Sequence, residues 1–115
     1  MEETKYEIVR RVLIIRLQKD LDHHCAVNIR EKADKIIDRY YIKHIIFDFS
    51  KAKFMDSAGI GVIMGRYKKI KYSGGKVVVS GLNKSIDRIF NISGLYKVID
   101  KYDTADICLQ KIESA

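Results

Sequence analysis

Six residues near the middle of the chain, His44 to Phe49 (HIIFDF), leave few architectures open. Both faces of such a strand are apolar except at Asp48, so it must be covered on both sides, as in the interior of a parallel sheet flanked by helices. The neighbouring sequence supplies the cover. Asp22 offers an N-cap oxygen, and Ala26, Ile29, Ala33, Ile36, Ile37 and Tyr40 recur every three or four residues, opposite Arg30, Glu31, Lys35 and Asp38. That spacing predicts an amphipathic helix ending near Tyr41. After a loop from Ser50 to Met55, Asp56 and Ser57 open a second helix with Ile60, Ile63, Met64, Tyr67 and Ile70 as its apolar stripe, stopped by Gly74-Gly75.

Upstream, Tyr6 to Gln18 reads as two short strands around Arg10-Arg11, a hairpin without the usual Asn-Gly signal. Downstream, Lys76 to Ser80 has the branched residues of a strand, Asn83 caps a short helix to Ile92, and Ser93-Gly94 ends it. Lys97 to Asp100 suggests one more strand. Asp103 or Thr104 caps a last helix, with Ala105, Cys108, Leu109 and Ile112 facing inward. Strands alternating with helices after a hairpin predict an α/β fold: a mixed, mainly parallel sheet of four to five strands with about four helices and right-handed crossovers. At 115 residues the chain fits one domain, residues 1–115. Function is then expected in loops and helix ends at one edge of this sheet.

Twenty-two Lys and Arg against fifteen Asp and Glu give a net charge of +7, which favours anionic partners without requiring them. Two cysteines, Cys25 and Cys108, are too few for a disulfide framework and lie in predicted helices, so reduced thiols are expected. Met1 to Lys5 lacks the layout of a signal peptide, and no apolar run reaches bilayer-spanning length. The expectation is a cytoplasmic protein with no membrane partner.

Four clusters carry candidate chemistry. His23-His24-Cys25 are consecutive, roughly 100° apart on a helix, and cannot converge on one metal ion. Gly59, Gly61 and Gly65 open a helix after a strand, but neither dinucleotide nor Walker spacing is present, so no cofactor is expected; the glycines would let the helix lie close to the sheet. Arg66, Lys68, Lys69 and Lys71 interleave with Tyr67 and Tyr72. They read as a solvated basic helix face, with Tyr67 in the core; the alternative is a basic single-stranded RNA-binding module. Ser57 lacks the flanking glycines of a hydrolase nucleophile elbow, since Asp56 precedes and Ala58 follows it. No catalytic residue is assigned and no enzyme is expected. A hydroxyl at a helix start, followed by the small Ala58 and Gly59, is instead accessible to a protein that brings a nucleotide's phosphate to it.

Phe54 to Ile70 (FMDSAGIGVIMGRYKKI), Leu21 to His24 (LDHH), Gly74 to Val79 (GGKVVV) and Arg88 to Leu95 (RIFNISGL) resemble a known family. They are similar to the anti-sigma factor antagonists of spore-forming bacteria, within the STAS domain family shared with sulfate-transporter tails. The most specific motif, D-S-[SA]-G, is here Asp56, Ser57, Ala58 and Gly59. The resemblance implies partner switching in sporulation and transcription regulation. The unphosphorylated protein would bind an anti-sigma factor that is also a serine kinase, freeing the sigma factor. Phosphorylation of Ser57 would switch binding off, and a protein serine phosphatase would reset it. Asp22, Asp56, Ala58, Gly59 and Ile60 would line the partner surface, and no nucleic acid partner is implied. The chain departs from the family pattern at Lys19-Asp20, where many members carry Gly-Glu, at Cys25, which replaces threonine, and at Ala58, which replaces a second serine of close relatives.

Overall fold

The computed structural model describes residues 3–114; Met1 and Glu2, part of the signal-peptide reading, lie outside them, as does Ala115. The order is β1 (Lys5–Val9), β2 (Val12–Arg16), α1 (His23–Tyr40), β3 (His44–Asp48), α2 (Ser57–Lys71), β4 (Val77–Ser80), α3 (Lys84–Ser93), a 3₁₀ turn (Leu95–Lys97), β5 (Asp100–Tyr102) and α4 (Ala105–Glu113). The five strands lie in sequence order. β1 and β2 are antiparallel, and β2 to β5 run parallel. β3 is the central strand, as its apolar faces require.

Period-two alternation divides the core between the two faces. Leu13, Ile15, Ile45, Phe47, Val77 and Val79 point to one side, under α1, α2 and α3. Val12, Ile14, Ile46 and Val78 point to the other, where Ala105, Cys108 and Ile112 of α4 cover them. Three helices on one face follow from three successive crossovers of one hand. All loops that leave parallel strands therefore emerge at one edge, the carboxyl edge of the sheet, where ligands of open α/β sheets usually bind.

Three sequence readings need correction. The last strand is Asp100–Tyr102 rather than Lys97 to Asp100, because Gly94, at φ 81, starts a 3₁₀ turn that consumes Leu95 to Lys97. Tyr40 leaves the apolar stripe of α1 and is 49% exposed. In α2 the buried positions are Gly59, Val62, Ile63, Arg66 and Ile70, while Ile60, Met64 and Tyr67 are half-buried. The helix has turned by about one residue from the expected phase. Its first turns are small or apolar nearly all round, so periodicity alone could not set which side packs.

Candidate functional site

The carboxyl edge is built on one short pairing. Leu21 and Met55 form an isolated parallel bridge, in which the Leu21 amide donates to the Phe54 carbonyl at 3.0 Å and the Asp56 amide donates to the Leu21 carbonyl at 3.2 Å. One residue beyond the bridge on each side stands a capping aspartate. Asp22 Oδ1 accepts from the Cys25 amide and Asp56 Oδ1 from the Ala58 amide, both at 2.9 Å. Each carboxylate satisfies an amide that the first turn leaves open. The α1 and α2 amino termini are thus brought level and side by side, and Ser57 is the first residue of α2, with its side chain exposed.

The loop that delivers Ser57 is held from both sides. Asp20 Oδ1 accepts from the amides of Lys53 at 2.9 Å and Phe54 at 3.1 Å. Asn83 Nδ2 donates to the Lys53 carbonyl at 3.1 Å while its Oδ1 caps α3 at the Ile86 amide. Sequence reasoning noted Asp20 only as a departure from a family pattern. Its clamp could not be read there, because the acceptor and donors are more than thirty residues apart.

The expected partner residues do not all face outward. Asp22 and Ser57 are exposed, Asp56, Ala58 and Ile60 are half-buried, and Gly59 is buried. A Cβ on Gly59 would overlap Met55 Cγ and lie 2.9 Å from its Sδ, so this glycine serves the close seating of α2. At Gly61 and Gly65 a Cβ would meet nothing within 4 Å, so close approach to the sheet explains only the first of the three glycines. Gly61 instead opens a shallow groove of about 260 Å³ between α1 and α2, where His23, Val27, Arg30 and Ala58 also contribute. Phe54 and Val27, 48% and 37% exposed, add apolar surface to this edge. Sequence reading assigned neither to the site, although Phe54 opens the motif segment; an apolar residue in a predicted loop, as Phe54 is, or off the predicted α1 stripe, as Val27 is, was the signal that could have marked them.

The other clusters disperse in three dimensions. His23 and His24 are exposed while Cys25 is buried, with burial raising its thiol pKa. Among the described residues no three His, Cys, Asp or Glu side chains form a metal-binding group. Arg66, expected on the basic face of α2, is instead buried at 6% exposure beside Asp34 of α1, Nε to Oδ1 3.1 Å. Desolvation lowers its pKa and the Asp34 charge opposes that. Lys69 pairs with Asp38 at 3.2 Å. The α1 carboxylates thus draw two of that face's four cations into a helix–helix contact.

A family model described as the STAS domain matches residues 3–107. The chain belongs to the STAS domain family. Within it, the anti-sigma F factor antagonist of Paenibacillus polymyxa is 40% identical over 104 residues, covering 90% of this chain and 89% of that protein. This STAS chain is therefore a member of the anti-sigma factor antagonist family. Its fold matches the anti-sigma factor antagonist SpoIIAA in its unphosphorylated form with a TM-score of 0.81 at 24% identity, covering 98% of this chain and 100% of that one. The Bacillus cell fate determinant SpoIIAA in the phosphorylated form matches with a TM-score of 0.77 at 27% identity, covering 96% and 99%. No helix among the described residues of this STAS domain is long and apolar enough to cross a membrane.

Proposed function

We propose that this chain is a cytoplasmic, phosphorylation-controlled partner switch. Unphosphorylated, it docks through the carboxyl edge on an anti-sigma factor that is also a serine kinase, and so frees a sporulation sigma factor. The kinase transfers the γ-phosphoryl group of ATP to Ser57 Oγ, ADP leaves, and the complex dissociates. A protein serine phosphatase restores the hydroxyl. Asp22, Asp56, Ala58 and Ile60 form the contact surface with the groove beside Gly61, and Gly59 acts through the seating of Ser57. The carrying observation is the exposed Ser57 at the start of α2, directly after the capping Asp56 and next to Ala58, which lines the open groove.

The electrostatics suit a switch that needs no refolding. A phosphate adds roughly 1.5 to 2 negative charges, which helix-terminal amides and the positive end of the dipole can solvate. A partner surface fitted around a neutral hydroxyl, with Asp56 adjacent, would instead have to bury that dianion unpaired. A hundredfold loss of affinity requires only about 2.7 kcal/mol. That SpoIIAA has been described in both phosphorylated and unphosphorylated forms supports the reading.

Native mass spectrometry of the chain with a candidate anti-sigma kinase tests it. A complex is expected with ADP, and released chain carrying one phosphate on Ser57 with ATP. Phosphate on another residue, or undiminished binding by Ser57→Asp, would contradict the proposal.

A further inference from the structure

The opposite end of the molecule, where the parallel strands begin, gathers cations that the sequence scatters. Arg11 Nε donates to the Tyr41 carbonyl at 2.8 Å, and the Lys43 amide donates to the Arg11 carbonyl at 2.7 Å. The Lys76 amide donates to His44 Nδ1 at 3.0 Å. Gly75 packs against the Lys43 backbone so closely that a Cβ would overlap its carbonyl oxygen. The His44 imidazole registers the crowding: burial lowers its pKa, and Lys43, Lys76 and Arg11 lower it further. Arg39 and Lys71 sit in the last turns of α1 and α2 at the same pole.

Neutralising helix dipoles does not account for all of this charge. The α1, α2 and α4 carboxyl ends here carry about half a negative charge each. Arg11, Arg39, Lys43, Lys71 and Lys76 exceed that sum, and none has a carboxylate ion-pair partner among the described residues. Interleaved with them are Tyr40, Tyr41 and Tyr72, exposed by 49%, 76% and 87%. Arg39 Cζ lies 5.7 Å from the Tyr40 ring centroid and Lys71 Nζ 5.5 Å from that of Tyr72.

Backbone geometry marks the same place. Among the described residues, the non-glycine positions with positive φ are Arg10 at 46°, Arg11 at 67° and Tyr41 at 51°, all at this pole. Arg10 and Arg11 form the two-residue type I′ turn that normally takes Asn-Gly. Left-handed positions that glycine or asparagine usually fill, at the hairpin turn and at the α1 C-cap, are thus occupied here by cations and an exposed ring.

We propose that this pole is a docking surface for single-stranded nucleic acid, with Arg11, Lys43 and Lys76 meeting phosphates and Tyr41 and Tyr72 offering rings to bases. Stacking on aromatics within a basic surface is the general mode for such ligands. The exposed large side chains between these cations are tyrosines, not the aliphatic chains that a bilayer would draw in. The surface differs from the α2 face of the sequence reading, since Arg66 is buried and Lys69 is paired.

Fluorescence anisotropy of the full chain with a labelled oligouridylate about 12 nucleotides long tests this. With about three phosphates neutralised, affinity should fall roughly twentyfold between about 50 and 200 mM salt. Tyr72→Ala should weaken binding about tenfold, and Lys76→Glu should weaken it and flatten the salt slope. Arg11→Gly should weaken it with little change in the thermal midpoint, because relief of the positive φ offsets the lost hydrogen bond to the Tyr41 carbonyl. Ser57→Asp should bind as the unmodified chain does. Absence of binding at low salt, or equal affinity of Tyr72→Ala and Lys76→Glu with the parent, overturns the proposal, as does a changed affinity of Ser57→Asp. Tighter capture by vesicles with about one anionic lipid in four overturns it in favour of a membrane surface.

Discussion

Gly59, Gly61 and Gly65 recur within two turns of one helix yet stand in three different environments, and the difference is measurable. A methyl group at Gly59 must displace the fully buried Met55, and it would also come within 3.0 Å of Leu21 Cγ. Overpacking of this kind costs about 1–3 kcal/mol and outweighs the helix propensity that alanine adds. Gly59→Ala should therefore lower stability in urea unfolding. Gly61→Ala and Gly65→Ala meet open space and should raise it by about 0.5–1 kcal/mol. Gly61→Ala should also weaken kinase docking, since it fills the α1–α2 groove, whereas Gly65→Ala should not. Equal docking by the two stabilised variants would remove the groove from the interface.

The elements of the carboxyl edge are tied by polar contacts that bridge separate loops. Asp20 fixes the Ser50 to Met55 loop by two charge-assisted hydrogen bonds. Asp20→Ala should cost only about 0.5–1.5 kcal/mol, because water can reach the freed amides, and should speed amide exchange at Lys53 and Phe54 with little change in the sheet. If exchange at these two amides stays as slow as before, the clamp is not what orders the loop. On the far side of the edge, Asp87 of α3 accepts from Tyr96 and from Lys101 of β5, the latter at 2.7 Å. These hydrogen bonds hold its carboxyl below the usual carboxylate range. A depressed pKa contributes stability that is complete above the unfolded value near 3.9 and is lost as pH falls through the folded one. Asp87→Asn should thus be less stable by about 0.5 kcal/mol at neutral pH, a modest figure because the pair is largely exposed. The gap should close as acid unfolding is followed below about pH 4; a gap independent of pH would assign the loss to packing.

At the scale of the molecule, two poles of one small sheet are kept apart by its core. Cys25 lies under the start of α1 and Cys108 between α4 and β4, where its Sγ reaches the Val79 carbonyl at 3.5 Å. Burial raises the Cys25 thiol pKa and pushes that of Cys108 up to about 11. Neither should react with a disulfide reagent at pH 8 while the chain is folded, and both should react together in denaturant. Their reaction rate would then report opening of the whole core. Prompt modification of Cys25 alone would show that the α1 start opens independently of the sheet.

Short-range physics was legible in the chain. HIIFDF demanded a strand covered on both faces, Asp22 and Asn83 announced helix starts that their side chains do cap, Asp103 or Thr104 announced a third that Thr104 caps, and Asp56-Ser57 opened α2. Each of those signals acts within four residues, so the sequence carries it directly. The family motif identified the exposed serine. What the tertiary structure alone decided came from partners distant along the chain. The phase of α2 was set by Met55 and Leu21 against Gly59, the burial of Arg66 by Asp34, the clamp on the Ser57 loop by Asp20, and the basic pole by the convergence of Arg11, Lys43 and Lys76. Charge and apolarity are local properties, but which side of a residue meets water depends on what the sheet brings next to it.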